Sequence, residues 1–274
     1  MTPQQPTGGL EGLAVLVTGG GTGIGRACAE RLAADGAAVT ICGRTETTLA
    51  DARDRIAAVV GHGGRIHYVV ADVTVEDDVA RAVAAAAEPA GALHGCVANA
   101  GGGGALLPQH RQDADAFMQV LRLNVLGTFH CLKHAVPAMV AGGGGSFVGM
   151  SSIAGHLTHP YFGAYPAAKA GIEQLVRNAA DEYGAAGVRF NAVRPGFIAT
   201  ELMSAIPRDS SVFASYVDNT PLGRLGEPSD VAGLVRFLIG ADSAWMTGAV
   251  IDLDGGHSLR RGPDYSPFVP PTPS

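Results

Sequence analysis

The chain has 274 residues, enough for one large α/β domain or two small ones. Hydrophobic residues make up 47% of it and charged residues 16%, a composition that can bury a sizeable core and excludes a disordered chain. The formal net charge of −6 and the lack of any run of Lys or Arg argue against a nucleic-acid partner. The N-terminus has neither the basic start nor the apolar run of a signal peptide, and no apolar stretch is long enough for a membrane span.

Four cysteines, Cys28, Cys42, Cys96 and Cys131, are spread widely along the chain. They lie in apolar contexts and form no Cys-x-x-Cys motif. The sequence therefore predicts buried, reduced thiols and a cytoplasmic protein.

Short apolar runs alternate with stretches of helical periodicity almost to the end of the chain. The predicted strands cover residues 13–17, 39–42, 65–70, 94–98, 146–150, 188–193 and 249–253. The predicted helices cover residues 23–34, 46–60, a stretch ending at 88, 113–126, 129–140, 164–183 and 230–239. Residues 195–220 are expected to be irregular with short helices.

Close alternation of strand and helix requires right-handed crossovers and gives a parallel sheet covered on both faces. We therefore predict the α/β class: a single doubly wound (Rossmann) domain whose seven-stranded parallel sheet has helices on both faces. The domain is expected over residues 11–258, after a flexible N-terminus at 1–10. A Pro-rich tail at 259–274 is expected to be extended, or to pack on a neighbouring subunit. In such a sheet, ligands bind beyond the carboxyl ends of the strands.

A glycine-rich turn, from Thr18 to Gly25, joins the first predicted strand to the first helix. Glycine lets the backbone pass close to a pyrophosphate, and the helix N-terminus supplies free N–H groups and the positive end of its dipole. Because the turn lies in a strand–turn–helix unit, it predicts nucleotide binding. The residues expected to contact the nucleotide here are Gly19, Thr22, Gly23, Ile24 and Gly25.

The end of the second strand indicates which nucleotide binds. An acidic residue there would bind the ribose hydroxyls of NAD, but this chain has Arg44 and no carboxylate before Glu46. A guanidinium pairs with a 2′-phosphate, which favours NADP(H) and leaves NAD(H) possible. Arg44 could instead be a solvated cation or stack on adenine. Asp72, after the third strand, could accept from the adenine amino group or cap the next helix.

Tyr165 and Lys169 are four residues apart and therefore share one face of a helix. A tyrosine with a pKa of about 10 is a poor base at neutral pH, but an adjacent ammonium and an oxidised nicotinamide would lower that pKa. Pro166 fits only in the first helical turn, which predicts that Tyr165 stands near the helix start. The pair follows the fifth strand at the ligand-binding edge, and this position predicts proton transfer.

Three further groups are expected at the same edge. The run Met150–Ser151–Ser152 ends the fifth strand, and a serine hydroxyl there could bind a substrate oxygen. Asn124 interrupts a helical segment, where an inward-pointing amide needs a partner. The segment 195–200 follows the sixth strand and is suited to holding the flat carboxamide of a nicotinamide.

Together these residues resemble the short-chain dehydrogenase/reductase family in its compact form, and in particular its 3-oxoacyl reductase-like members. The resemblance spans about residues 10–256. The motifs that carry it are Thr18-Gly-x-x-x-Gly-x-Gly25, Asp72, Asn99-Ala100-Gly101, Asn124, Ser152, Tyr165-x-x-x-Lys169, Pro195-Gly196 and Asp254-Gly-Gly256. The resemblance implies an NAD(P)(H)-dependent oxidoreductase that moves hydride between a nicotinamide and a carbonyl or secondary alcohol.

The resemblance also implies a role for each matching residue. Tyr165 would be the acid and base, and Lys169 would lower its pKa and bind the nicotinamide ribose. Ser152, rather than Ser151, would stabilise the substrate oxygen, and Asn124 would hold a water that links Lys169 to solvent. Further cofactor contacts would come from Arg44, Asp72, Val73, Asn99, Ala100, Gly101, Pro195, Gly196, Ile198 and Thr200. The resemblance further implies a small-molecule substrate and a homotetramer.

Other interpretations give different functions to the same fold. A dehydratase or epimerase would also keep Tyr165 and Lys169, whereas a non-catalytic nicotinamide-binding sensor would be expected to have lost one of them. A methyltransferase shares the glycine-rich first turn but has no use for the pair.

The substrate pocket is expected between residues 102–108, 155–163 and a flexible lid at 201–224. Its predicted apolar wall consists of Leu106, Leu107, Leu157, Tyr161, Phe162, Phe197, Leu202, Met203 and Phe213. We therefore expect a hydrophobic substrate such as an oxoacyl, steroid-like or terpenoid compound.

Two pairs of histidines have other possible roles. His130 and His134 have the spacing of metal ligands on a helix but no third ligand, so we expect a subunit contact and no metal site. His156 and His159 could line the pocket or be exposed loop residues.

Overall fold

A computed structural model of the protein describes residues 9–60, 65–201, 203, 206–260 and 265–269. Its strands are β1 (Ala14–Thr18), β2 (Ala38–Gly43), β3 (Arg65–Val70), β4 (Gly95–Ala98), β5 (Gly145–Met150), β6 (Val188–Pro195) and β7 (Val250–Leu253). Its longer helices are α1 (Gly23–Ala34), α2 (Glu46–Val60), α3 (Glu76–Ala87), α4 (Ala114–Leu121), α5 (Gly127–Ala141), α6 (Ala164–Tyr183), α7 (Ser211–Asp218) and α8 (Pro228–Ile239).

The seven strands form one sheet in the order β3-β2-β1-β4-β5-β6-β7, and every neighbouring pair is parallel. The chain builds outward from β1 to β3, then returns to the other side of β1 and builds outward again. This confirms the predicted doubly wound fold. The reversal between β1 and β4 opens a crevice at their carboxyl ends.

The central strands are buried on both faces, which explains their uninterrupted apolar sequences. All five residues of β1 are buried. Val15 and Val17 pack with α1, α2 and α8 on one face, and Leu16 packs with α3, α5 and α6 on the other. This alternation along one strand divides the core into two layers.

The helical region around Asn124 differs from the sequence prediction. Two separate helices were expected there, but α4 runs into α5 through a π-helical turn, Arg122–Leu126. A π turn adds a residue to the helical repeat and rotates the following side chains, and such turns are frequent at functional sites. The other main difference is that β6 continues two residues beyond the predicted end, which carries Arg194 and Pro195 to the edge of the sheet.

All four cysteines are buried and none forms a disulfide, as the sequence predicts. Burial raises the pKa of the Cys28 thiol to about 12. Within the described residues, no helix is both long and apolar enough to cross a membrane.

The two ends of the chain pack on the domain where they are described. Of the N-terminus predicted to be flexible, residues 1–8 lie outside the described residues, and Leu10 is buried in the core. In the predicted Pro-rich tail, residues 261–264 and 270–274 lie outside the described residues, whereas Tyr265 is buried. The tail therefore makes a contact with the domain that the sequence did not predict.

Candidate active site

A cavity of about 1090 Å³ runs along the carboxyl ends of the strands, and it is large enough for a dinucleotide together with a substrate. The glycine-rich turn lines one end of it and aromatic side chains line the other. The predicted site residues that line it are Gly19, Thr22, Gly23, Ile24, Gly25, Arg44, Asp72, Val73, Asn99, Ala100, Gly101, Ser152, Tyr165, Lys169, Pro195, Gly196, Ile198 and Thr200. Asn124 lies behind this lining.

The glycine-rich turn has the geometry of an anion cradle. A Cβ atom on Gly25 would lie 2.2 Å from the carbonyl oxygen of Gly19, and Gly19 itself has a φ of 65°. At the start of α1, the Gly23 N–H donates to a carboxylate oxygen of Glu201 over 3.1 Å, and Arg26 donates to the other oxygen over 2.9 Å. An anionic oxygen thus already lies on this helix N-terminus, so the turn fits the pyrophosphate of a dinucleotide.

Beside the glycine-rich turn, the residues that follow β2 and β3 add a cation, Arg44, and a carboxylate, Asp72, to the cavity lining. Arg44 is exposed at the end of β2 and, among the described residues, forms no hydrogen bond or ion pair. Asp72 accepts from the N–H and the hydroxyl of Thr74 over 2.9 and 2.8 Å. It therefore closes the turn before α3, whose N-cap is Val75, and lines the cavity as well.

The loops after β1 and β4 are bound to each other by Thr18 and Asn99. The Asn99 side chain donates to the Thr18 carbonyl over 2.9 Å. The Thr18 hydroxyl accepts from the backbone N–H groups of Asn99 and Ala100, both over 3.0 Å. Sequence reasoning missed this role of Thr18, although a hydroxyl at the end of an otherwise apolar buried strand is a signal that could have revealed it.

The segment after β6 is held against the loop that follows β7. A Cβ atom on Gly196 would lie 2.9 Å from the Cα atom of Asp254, so only glycine permits this approach. Ile198 pairs with Gly226 in an isolated parallel bridge. These contacts place the segment 195–200 along the cavity wall.

Tyr165 is the second residue of α6, and Pro166 follows it in the first turn, as predicted. The N-cap residue is Gly163, whose φ of 56° lets the chain enter the helix sharply. Burial raises the pKa of Tyr165, and a hydrogen bond from Ser152 partly offsets this by lowering it. The phenol therefore has the serine hydroxyl as its immediate partner.

Lys169 lies one turn further along α6 and is also buried. Its ammonium donates to the Met150 carbonyl over 2.9 Å and lies 5.4 Å from the centroid of the Tyr165 ring. Burial lowers the pKa of Lys169 to about 8. At neutral pH the ammonium is still protonated, and its charge favours the phenolate form of Tyr165.

Asn124 connects the π turn to the loop after β4, close to Lys169. Its side chain accepts from the Gly102 N–H over 3.3 Å and donates to the Gly102 carbonyl over 2.9 Å. A Cβ atom on Gly101 would lie 2.6 Å from the Asn124 amide oxygen and 3.2 Å from the Lys169 nitrogen. A glycine at 101 therefore lets Asn124 and Lys169 approach the same point of the loop after β4.

The two serines after β5 have different surroundings. Ser152 lines the cavity and caps a short turn by accepting from the Ala154 N–H over 3.2 Å. Ser151 instead donates to a carboxylate oxygen of the buried Glu173 over 2.7 Å. Two nitrogens of Arg194 also donate to that carboxylate, over 2.6 and 2.5 Å.

Sequence reasoning missed Glu173 and Arg194. The signal that could have revealed Glu173 is its position, because a carboxylate four residues after Lys169 lies on the buried face of α6. Burial raises the pKa of Glu173, but the bonds from Arg194 and Ser151 outweigh it and the net shift is downward. The carboxylate is therefore charged and fixes the loop that carries both serines.

The substrate end of the cavity is apolar and aromatic. Of its predicted wall, Leu106, Phe162, Phe197 and Met203 line the cavity. Leu107, Leu157, Tyr161 and Phe213 are not part of the lining, and Leu202 lies outside the described residues. The lining residues that the sequence did not predict include Ile206, Tyr216, Tyr265 and Phe268.

The two histidine pairs singled out in the sequence have different surroundings. His159 is buried and lines the cavity, whereas His156 is exposed. His130 donates to the Val73 carbonyl over 2.9 Å, and His134 lies 3.1 Å from a carboxylate oxygen of Glu76. Within the described part of the chain, no group of three His, Cys, Asp or Glu residues could hold a metal ion.

Comparisons with known proteins find similarity over most of the chain. Residues 19–258 match the family described as enoyl-(acyl carrier protein) reductase. The chain is similar to cis-4-hydroxycyclohexanecarboxylate dehydrogenase of Sinomonas cyclohexanicum, with 39% identity covering 89% of this chain and 95% of that protein. It is also similar to 2,5-dichloro-2,5-cyclohexadiene-1,4-diol dehydrogenase of Sphingobium indicum, with 36% identity covering 90% of this chain and 97% of the relative.

A solved structure has the same fold at higher identity. It is a short-chain type dehydrogenase/reductase from Mycobacterium ulcerans, which superposes with a TM-score of 0.93 at 46% identity. The match covers 95% of this chain and 94% of the other. The similarity thus extends over nearly the whole chain.

Proposed function

Because this chain belongs to the short-chain dehydrogenase/reductase family and is an NAD(P)-dependent oxidoreductase, we propose that its substrate is a cyclic secondary alcohol or the corresponding ketone. The observation that carries this proposal is the aromatic end of the cavity, which begins directly at Tyr165. The rings of Tyr165 and Phe162 have centroids 5.8 Å apart. An apolar ring bound against Phe162 would bring its oxygen to the Ser152 and Tyr165 hydroxyl groups.

The roles of the chain's own residues follow from their positions. Ser152 and Tyr165 would both hydrogen-bond the substrate oxygen. In oxidation, the Tyr165 phenolate accepts the hydroxyl proton as hydride leaves the carbinol carbon, and in reduction the phenol returns that proton. Lys169 keeps the phenolate accessible by its charge. A bound nicotinamide supplies or accepts the hydride.

The proposed cyclic substrates are a narrower class than the hydrophobic compounds expected from the sequence. The names of both relatives describe six-membered rings that carry a hydroxyl group. The wall formed by Phe162, Phe197 and Tyr216 offers flat apolar surfaces that suit such a ring. Both the names of the relatives and the aromatic wall of the cavity therefore support a cyclic alcohol.

We also propose NADP(H) as the preferred nucleotide and a homotetramer as the assembly. Arg44 supports the first proposal because its guanidinium is exposed at the cavity rim and forms no bond with the described residues. The end of β2 carries no carboxylate that would repel a 2′-phosphate. The tetramer rests on family resemblance.

The experiment that tests the substrate class is a panel assay followed by nicotinamide absorbance. Cyclohexanol, cyclohexane-1,4-diol and the open-chain 2-hexanol would be offered with each oxidised nucleotide, and the corresponding ketones with each reduced nucleotide. The proposal predicts a clearly higher kcat/KM for the cyclic compounds than for the open-chain pair. Turnover of open-chain or acyl substrates with none of the cyclic ones would contradict it.

A further inference from the structure

Two phenol groups lie in the otherwise apolar end of the cavity. Tyr216 comes from α7 and Tyr265 from the C-terminal tail, and their side-chain hydroxyl groups are hydrogen-bonded to each other. Both residues line the cavity although they are only 5% and 3% exposed. The tail therefore contributes a side chain to the lining of the cavity of its own chain.

Ring contacts hold the two phenols at a fixed place relative to Tyr165. The Tyr265 ring lies edge-on to Phe162 at 4.5 Å, and Phe162 also contacts Tyr165. The Tyr216 ring stacks on Phe197 at 4.1 Å with an interplanar angle of 19°. Because each of the two rings contacts at least three other rings, the hydroxyl pair is preorganised before a substrate binds.

Counting donors shows that the pair has unused hydrogen-bonding capacity. Each phenol has one O–H donor and can also accept. One donor serves the bond between Tyr216 and Tyr265, and no other described residue hydrogen-bonds either hydroxyl group. One O–H and several lone pairs therefore remain for a substrate oxygen. The nearby His159 donates through Nδ1 to the Leu157 carbonyl, so its neutral ring adds only an acceptor.

The charges around the pair favour a neutral partner. The charged side chains among the described lining residues are Arg44, Asp72, Lys169 and Glu201. Arg44 and Asp72 follow β2 and β3, Glu201 is bound to the glycine-rich turn, and Lys169 is buried against β5. Burial lowers the pKa values of His159 and His257, which keeps both rings neutral at pH 7. A carboxylate at the aromatic end would therefore find no cation among the described residues that line this end of the cavity.

We propose that the Tyr216–Tyr265 pair is a second polar subsite, which binds an uncharged hydroxyl or carbonyl oxygen on the side of the substrate ring remote from the reacting carbon. The preferred substrate is then a cyclic diol, hydroxy ketone or diketone rather than a cyclic alcohol with one oxygen. This inference rests on the proposed function, because it assigns a binding site to the second oxygen of the proposed cyclic substrate.

The competing explanation is that the two hydroxyl groups only fasten the tail to α7. Replacing either tyrosine with phenylalanine keeps the ring packing and removes the hydroxyl, so it separates the two explanations. If the hydroxyl groups only hold the tail against α7, their loss should affect the binding of all substrates alike. A subsite would affect only ligands with a second oxygen.

The test measures binding, by calorimetry, of cyclohexanone, cyclohexane-1,4-dione and 4-oxocyclohexanecarboxylate to the enzyme with oxidised nucleotide. A ketone cannot react with the oxidised nucleotide, so binding is read without turnover. The proteins are wild type, Tyr216→Phe, Tyr265→Phe and the control Tyr161→Phe, which removes a hydroxyl from the same aromatic cluster but not from the cavity lining.

The subsite predicts that wild type binds the dione more tightly than cyclohexanone or the carboxylate. Each subsite variant should weaken dione binding by about fivefold to tenfold, as expected for loss of one uncharged hydrogen bond. The two subsite variants should bind cyclohexanone as tightly as wild type does. The Tyr161→Phe control should bind all three ligands as tightly as wild type does. Equal effects on cyclohexanone and the dione, or no effect on either, would overturn the subsite and leave the proposed function intact. If wild type bound no cyclic ketone and oxidised no cyclic alcohol, the proposed function itself would fail.

Discussion

Tyr165 and Lys169 are buried side by side, and burial acts on them in opposite directions. It raises the pKa of the phenol and lowers the pKa of the ammonium to about 8, so in each case the charged form is disfavoured. The ammonium has one described hydrogen-bond partner, the Met150 carbonyl. In the proposed mechanism, the charge of Lys169 would assist proton transfer, and its burial would lower the stability of the fold.

Replacing Lys169 with Met should therefore stabilise the fold and impair the reaction. The wild-type ammonium is protonated in both the folded and unfolded chain below pH 8, so the burial penalty is present in full there. Between pH 8 and the ordinary value of 10.5, the unfolded chain binds more protons, and wild-type stability rises with pH. We expect Lys169→Met to raise the free energy of unfolding at pH 7 by about 1 to 3 kcal/mol, measured by urea denaturation.

The same variant should lower kcat/KM by roughly a hundredfold or more and move the alkaline rise of alcohol oxidation to higher pH, since Tyr165 loses the charge that favours its phenolate. Lys133→Met is the matched control, because Lys133 is the chain's other lysine and lies half exposed in an ion pair with Glu76. A stability loss in Lys169→Met, with an unshifted pH profile, would contradict this account.

Arg44 determines the nucleotide preference in this account. Arg44→Ala should weaken NADPH binding by about tenfold to a hundredfold, because a charge-assisted hydrogen bond to the 2′-phosphate is lost, and leave NADH binding unchanged. Fluorescence titration of each reduced nucleotide measures both. Arg55→Ala removes the same charge from the exposed face of α2 and serves as the control. Wild-type protein that bound NADH as tightly as NADPH would overturn the proposed preference.

At the residue scale, the sequence predicted the groups that are fixed by local spacing. The four-residue interval between Tyr165 and Lys169 follows from helix geometry, and the end of β5 predicts a serine at the same edge of the sheet. The choice of Ser152 over Ser151 came from the family resemblance. The Tyr216–Tyr265 contact joins residues 49 apart through an irregular segment and the tail. No periodicity specifies such a contact, so it could not be predicted.

At the scale of elements, the loop after β5 and the middle of α6 are joined by one largely buried ion pair. Glu173 on α6 receives two bonds from Arg194 on β6 and one from Ser151 on the loop. Arg194 also lies 3.3 Å from Asp252 on β7. This network connects α6, β6, β7 and the loop after β5, next to the proposed catalytic residues Ser152 and Tyr165.

Replacing one partner of the Glu173–Arg194 ion pair should destabilise the fold more than replacing both partners. We expect Glu173→Leu to destabilise the fold by about 3 to 5 kcal/mol, because Arg194 keeps a charge without its main partner. The double variant Glu173→Leu/Arg194→Leu should recover a large part of this loss, as urea denaturation would show. Additive losses in the double variant would mean that the pair contributes little beyond its packing.

The elements themselves were predictable to within a few residues, because their apolar periodicity reflects burial. The π turn at Arg122–Leu126 was not. The Asn124 side chain in this turn is hydrogen-bonded to the backbone of Gly102, which is 22 residues away in sequence. The sequence showed only that Asn124 is a poor residue for a helix.

At the scale of the whole molecule, the isolated chain leaves large apolar side chains in contact with solvent. Trp245, the single tryptophan of the chain, is 100% exposed in the segment between α8 and β7. A fully exposed tryptophan is uncommon in a monomer, and coverage by another copy of the chain would remove it from water.

Trp245→Glu should therefore dissociate the proposed tetramer, as light scattering after size-exclusion chromatography would show. The wild-type fluorescence emission should be that of a buried indole and shift to longer wavelength on dilution. Val59→Glu, on an exposed position of α2, is the control for adding a charge to a surface valine. A monomeric wild type with solvent-exposed emission would contradict the proposed assembly.

The most direct test of the central claim follows the hydride and the proton together. Cyclohexanol deuterated at the carbinol carbon would be incubated with enzyme and oxidised nucleotide, and the nicotinamide and ketone analysed by mass spectrometry. The account predicts one deuterium on the nicotinamide for each cyclohexanone formed, and a rate lower by roughly 10²- to 10⁴-fold in Tyr165→Phe, which has no proton to exchange. Absence of transfer in wild type that binds the nucleotide, or an equal rate in Tyr165→Phe, would contradict it.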